Sequence, residues 1–113
     1  MGFSLVATAG TARAIEQARI PVETIHKVLE GSPHVVDAMA KDEIHIVINT
    51  TEGARAIRDS YAIRRHALLA NIPYFTTMAA ALAAVEALEA WSLVPGRLPQ
   101  VRSVQEWHAR SAR

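Results

Sequence analysis

The chain has 113 residues, half of them hydrophobic and only 5% aromatic, which suffices for one domain with its own core and not for two. Twelve Lys and Arg stand against eleven Asp and Glu, a net charge of +1, so there is no electrostatic footprint for a nucleic acid or a membrane surface. Cysteine is absent, which excludes disulfides, thiolate nucleophiles and thiolate metal sites and is compatible with the cytosol.

The first residues, Met1 to Leu5, lack a basic stretch followed by a long apolar run, so no signal peptide is expected. Phe3 to Ala7 predicts a buried strand, and Thr8-Ala9-Gly10-Thr11 a tight turn after it. Thr11 is a candidate cap for a helix from Ala12 to Ala18. Pro21 separates that helix from an extended segment, Val22 to Ile25. In the loop Glu30-Gly31-Ser32-Pro33, Ser32 suits an N-cap and Pro33 the first helical position, ahead of a short helix from His34 to Ala40.

Ile44 to Ile48 has the strongest strand pattern, β-branched except at His45. A polar loop, Asn49-Thr50-Thr51-Glu52-Gly53, follows it. Ala54 to Ala70 predicts helix, with a break near Asp59-Ser60, ended by Asn71-Ile72-Pro73. Tyr74 to Thr76 predicts a brief strand, and Thr77 opens an Ala-rich helix to about Ala90. The apolar run Met78 to Leu88 within it is too short to span a bilayer and carries Glu86. Pro95, Gly96 and Pro99 mark an irregular tail, and Val101 to Arg113 predicts an extended stretch with a short polar end. No internal repeat is present.

Alternating strands and helices imply an α/β fold, a mainly parallel sheet between two helical layers. Ligands in such sheets bind beyond the carboxyl ends of the strands. Thr8, Gly10, Thr11, Asn49, Thr50 and Thr51 all fall at such ends. Glycine admits close backbone approach, a helix N-terminus favours an anion, and neutral hydroxyls and amides suit phosphate or sugar oxygens. Lys27 adds a point charge near the same edge. Each cluster alone also reads as an ordinary turn whose polar side chains bond their own backbone. Two clusters at two strand ends together point to a ligand.

His26, His34, His45, His66 and His108 form no metal-binding spacing. Arg64 and Arg65 read as a solvated helix face, with a phosphate or a partner surface as the alternative. Glu30, Asp37 and Asp59 are carboxylates that no spacing pairs for acid–base work.

Five segments taken in order carry a resemblance. They are Thr8 to Ala12, Lys27 to Asp37, Ile48 to Thr51, Asp59 to Leu68 and Tyr74 to Thr77, closed by Ser103-Val104-Gln105-Glu106. Together they resemble the methylglyoxal-synthase-like domain that ends the large subunit of carbamoyl-phosphate synthetases, over about Phe3 to Trp107. The resemblance implies a three-layer α/β sandwich. Residues 1–93 would form the regulatory domain and 94–113 a C-terminal tail. The parent enzymes are cytoplasmic ligases that use ATP with Mg or Mn to make carbamoyl phosphate for arginine and pyrimidine synthesis. The terminal domain binds allosteric effectors, UMP or IMP, and has no cofactor of its own. By motif, Thr8, Thr11 and Lys27 would contact the effector phosphate. Gly10, Asn49, Thr50 and Thr51 would complete the pocket, and Ile63 would line the base or ribose side. Expected partners are the other domains of the large subunit and the glutaminase small subunit.

Two departures from the family pattern stand out. The family's first strand-helix unit, which usually places its strand mid-sheet and lends a serine and a lysine to the phosphate site, has no counterpart before Phe3. That predicts unpaired strand edges, a weakened effector site and self-association through the gap. Ala54 stands where some relatives carry arginine after the glycine, which leaves effector preference open. Methylglyoxal synthase itself, acting on dihydroxyacetone phosphate, is the enzyme alternative. It needs an aspartate in a Gly-Gly-Asp setting, and Asp37 has a helical setting instead. The cyclohydrolase module of purine synthesis fits the Lys27–His34 segment poorly. A fragment serving assembly alone is the third reading.

Overall fold

The computed structural model describes residues 1–51, 57–58, 60–94, 96 and 100–111. The expectations for Glu52, Gly53, Ala54, Asp59, Pro95 and Pro99 lie outside those residues. Strand β1 (Val6–Ala7) runs into helix α1 (Ala9–Gln17) and returns as β2 (Glu23–Thr24). A 3-10 turn (Val28–Glu30) leads to α2 (Val35–Ala40). Strand β3 (Val47–Ile48), helix α3 (Tyr61–Leu69) and strand β4 (Tyr74–Phe75) follow, then α4 (Met78–Ser92) and α5 (Val104–Ser111).

Both strand pairs are parallel, as the alternation of strand and helix predicts. Val6 lies opposite Glu23 and Ala7 opposite Thr24; Val47 lies opposite Tyr74 and Ile48 opposite Phe75. An isolated parallel bridge between His26 and His34 places the start of α2 beside the segment that follows β2. The expected parallel α/β arrangement is present, its strands forming two separate pairs, β1–β2 and β3–β4, among the described residues. Each has an open edge. Leu5 and Ala7 turn their carbonyls to β2, so the N–H and C=O of Val6 face away from it. Val47 and Asn49 turn their N–H groups to β4, so those of Ile48 face away likewise.

The open edges explain one correction. Phe3 to Ala7 is not a buried strand: Phe3 is 55% exposed and Val6 38%. Helix α1 makes the main packing on this pair among the described residues, and an apolar run is buried only where something lies across it. The predicted strand Ile44 to Ile48 likewise shrinks to Val47–Ile48.

Helix boundaries follow from their caps. α1 starts three residues before the expected Ala12 because Thr8, with extended backbone, offers its carbonyl to the Ala12 N–H at 2.8 Å. Thr11 therefore lies inside the first turn and is no cap. His34, and not Ser32, is the N-cap of α2. Three helices end alike. Arg19, Asp42 and Asn71 take φ of 58°, 58° and 54°, and the next residue's N–H reaches back five residues, to Ile15, Ala38 and Ala67. Pro21 and Pro73 then bar further helix after two of them. Thr77 caps α4 as expected, its hydroxyl accepting the Ala80 N–H at 3.1 Å.

The sequence reading missed α5. Ser103 accepts the Glu106 N–H at 3.2 Å while the Glu106 carboxylate accepts the Ser103 N–H at 2.7 Å. This reciprocal Ser-x-x-Glu pair was visible in the sequence and is a helix-start signal.

The core is thin. Met39, Val47 and Ala67 are buried together where α2 packs on α3 and β3, flanked by Val35, Ile44, Ile63, Ile72 and Tyr74. Ala12 and Ala81 are buried apart from it. The radius of gyration is 16.5 Å, against about 13 Å for a compact chain of this length. Among the described residues the buried cluster holds Val47 of β3 and no residue of β1 or β2.

Candidate strand-end binding site

The C-terminal end of β1 delivers Thr8 to the start of α1. The Thr8 side chain makes no capping hydrogen bond, and the first turn holds no acidic residue. The first-turn N–H groups thus keep their capacity for an anion, with the Thr8 and Thr11 hydroxyls beside them. Gly10 sits in the same turn, and a Cβ there would meet no atom within 4 Å. The backbone is open to approach from that side.

Lys27 lies just past the second strand and is exposed. Its N–H donates to the Glu30 carboxylate at 2.8 Å, which fixes the start of the 3-10 turn. Among the described residues no carboxylate pairs with its ammonium.

The end of β3 delivers the second group. The Asn49 side-chain amide donates to the Tyr74 hydroxyl at 2.8 Å, Thr50 is exposed, and the Thr51 hydroxyl accepts from the Arg64 guanidinium at 3.2 Å. Ile63 packs on the core cluster. The expected site residues thus fall into two groups by position, Thr8, Gly10, Thr11 and Lys27 following the ends of β1 and β2, and Asn49, Thr50 and Thr51 following β3, while Ile63 lies on α3 against the core. Among the described residues no hydrogen bond joins one group to the other. Tyr74 and Arg64 are additions. Tyr74 reaches Asn49 only through the β3–β4 register, which no local pattern encodes. Arg64 corrects the solvated-face reading: it is half-buried, whereas Arg65 is exposed.

Asp37 has a structural occupation. One carboxylate oxygen accepts the His34 N–H at 2.9 Å and the Ser32 hydroxyl at 2.7 Å, and lies 3.2 Å from His34 Nδ1. The His34 N–H and then the Ser32 hydroxyl hold this carboxyl below the ordinary aspartate range, helped by the charges of His34 and Lys41 and opposed by partial burial. A folded-state pKa lowered in this way contributes stability that is complete at neutral pH. It is lost as the pH falls through the ordinary aspartate range to the depressed folded value. Asp37→Ala is therefore expected to lower the thermal midpoint at pH 7 and to flatten its decline in acid; an unchanged acid limb in thermal melts would contradict this. A hollow of about 260 Å³ beside Asp37 is lined by His26, His34, Lys41 and Glu43. Among the described residues no three His, Asp or Glu side chains are placed to hold a metal ion.

Residues 1–76 match the profile of the MGS-like domain, a stretch that includes both strand-end groups. The chain belongs to the MGS-like domain family. This MGS-like chain is 50% identical over 109 residues to the carbamoyl phosphate synthase large chain of Pseudomonas aeruginosa, covering 96% of itself and 10% of that relative. It is 49% identical to the corresponding large chain of Halomonas eurihalina, with the same coverage. Against the carbamoyl phosphate synthase large chain, C-terminal section, of Methanopyrus kandleri it is 53% identical over 90 residues, 79% of the MGS-like chain and 17% of that protein. The MGS-like chain thus spans about a tenth of the full-length large chains it matches. No helix among its described residues is long and apolar enough to cross a membrane.

Proposed function

We propose that this chain is an allosteric effector-binding module for a nucleoside monophosphate, UMP or IMP. It acts in the cytoplasm with the other large-chain domains and the glutaminase small subunit of a carbamoyl phosphate synthase, and so regulates a supplier of arginine and pyrimidine synthesis. The observation that carries this reading is the start of α1. Two threonine hydroxyls and an uncapped helix terminus without acidic residues adjoin an open glycine. Such a group suits a phosphate, and Lys27 supplies a nearby positive charge without a carboxylate partner among the described residues. Asn49 and Thr50 offer neutral groups for ribose and base, and Thr51 completes the pocket. Asp37 is occupied in capping α2, which argues against a role as catalytic base. ATP and its metal belong to other parts of the parent enzyme on this reading. An effector that prefers one state of that enzyme shifts its population, and the chain contributes binding alone.

Calorimetric titration with UMP and IMP tests the reading, with dihydroxyacetone phosphate as control. Saturable binding of a nucleotide is expected, weakened by about tenfold or more in Thr11→Ala and Lys27→Ala, each removing a hydrogen bond to a charged group. Gly10→Ala separates site from fold. It should stabilise α1 by up to about 1 kcal/mol, since alanine favours helix over glycine. Its added methyl should nevertheless obstruct the phosphate. Absence of nucleotide binding in a folded chain, or turnover of dihydroxyacetone phosphate, would refute the proposal.

A further inference from the structure

Arg64 carries a positive charge that the described residues leave uncompensated. It is half-buried on α3, and among the described residues no carboxylate lies within ion-pair distance of it. Its Nη2 donates to the Thr51 hydroxyl at 3.2 Å, while its Nε is buried and has no hydrogen-bond partner among the described residues. A guanidinium retained half inside a protein with one N–H unsatisfied is a poor stabiliser of the fold.

The bond to Thr51 has a directional consequence. A hydroxyl has one proton and two lone pairs. When Thr51 accepts from Arg64, its own proton turns away from the guanidinium and is available as a donor. The nearby positive charge makes that donor stronger toward an oxyanion. We infer that Arg64 is a positioning residue of the strand-end site, orienting and polarising the Thr51 hydroxyl toward an anionic oxygen of a phosphate-bearing ligand. This rests on the effector reading and adds to it a residue acting through Thr51.

The test is a double-mutant cycle on the full chain, read by calorimetry with UMP, IMP and the phosphate-free nucleosides uridine and inosine. Arg64→Met keeps the apolar stem and removes the charge; Thr51→Val keeps the shape and removes the hydroxyl. Each is expected to weaken the bound nucleotide by about tenfold, the loss of one hydrogen bond to a charged group, and to leave the matching nucleoside unaffected. The double variant should be no weaker than either single one, because both remove the same interaction. Arg64→Lys, with a similar far-UV spectrum and melting point, should recover most of the affinity. Wild-type affinity in Arg64→Met, or losses that simply add in the double variant, would overturn the Arg64 inference while leaving the effector site intact. A wild-type chain that binds no nucleotide would instead remove the effector reading itself, and the Arg64 inference with it.

Discussion

Met39→Ala is expected to cost about 2–5 kcal/mol, the range for removing a large buried side chain and leaving a cavity. Met39 is the largest side chain with no exposure, and it joins α2, α3 and β3 through Val47 and Ala67. Domains have only about 5–15 kcal/mol in total, and this one gathers few residues into its core. The loss should therefore abolish cooperative melting or lower its midpoint by more than ten degrees, on the order expected for a domain of about 100 residues. Met39→Leu, nearly equal in volume, should cost under about 1.5 kcal/mol. Chemical denaturation of both variants checks this. Equal midpoints for Met39→Ala and wild type would mean that the stability resides elsewhere.

The second expected result is self-association at micromolar concentration. Among the described residues Val6 and Ile48 each present an unpaired edge, and they are 38% and 52% exposed. Large apolar side chains nearby, including Phe3 and Leu5, are also accessible. A flat apolar strand edge is a template for another strand, and a charge placed on it blocks the pairing. Light scattering should thus give a mass above the 12.3 kDa of one chain. Val6→Lys or Ile48→Lys should return it toward that mass while leaving the secondary structure unchanged. A sharp monomeric peak for the wild type would sink the idea that the strand edges are adhesive.

Much of the architecture was legible locally. Parallel pairing followed from the strand–helix alternation, Thr77 from its position before an alanine-rich run, and the end of α3 from Asn71 and Pro73. The two strand errors share one cause. Phe3 to Ala7 and Ile44 to Ile48 are apolar enough for longer strands, but strand length depends on a neighbour to complete the ladder. Ser32 looked like a cap by type, yet His34 took that place and Ser32 turned its hydroxyl to Asp37. The Ser103–Glu106 pair was legible and was passed over.

The site divides in the same way. The residue order alone determined which hydroxyls, amides and charges fall at strand ends, because chain direction and element alternation set those positions. It also determined the family, since the spaced segments from Thr8 to Phe75 lie within the match over residues 1–76. Only the tertiary structure decided that Asn49 meets Tyr74, that Arg64 turns inward to Thr51, and that the two strand pairs are separate among the described residues. Those outcomes depend on register, helix rotation and the closing of strand edges, which arise between segments distant in sequence and leave no mark in local residue patterns.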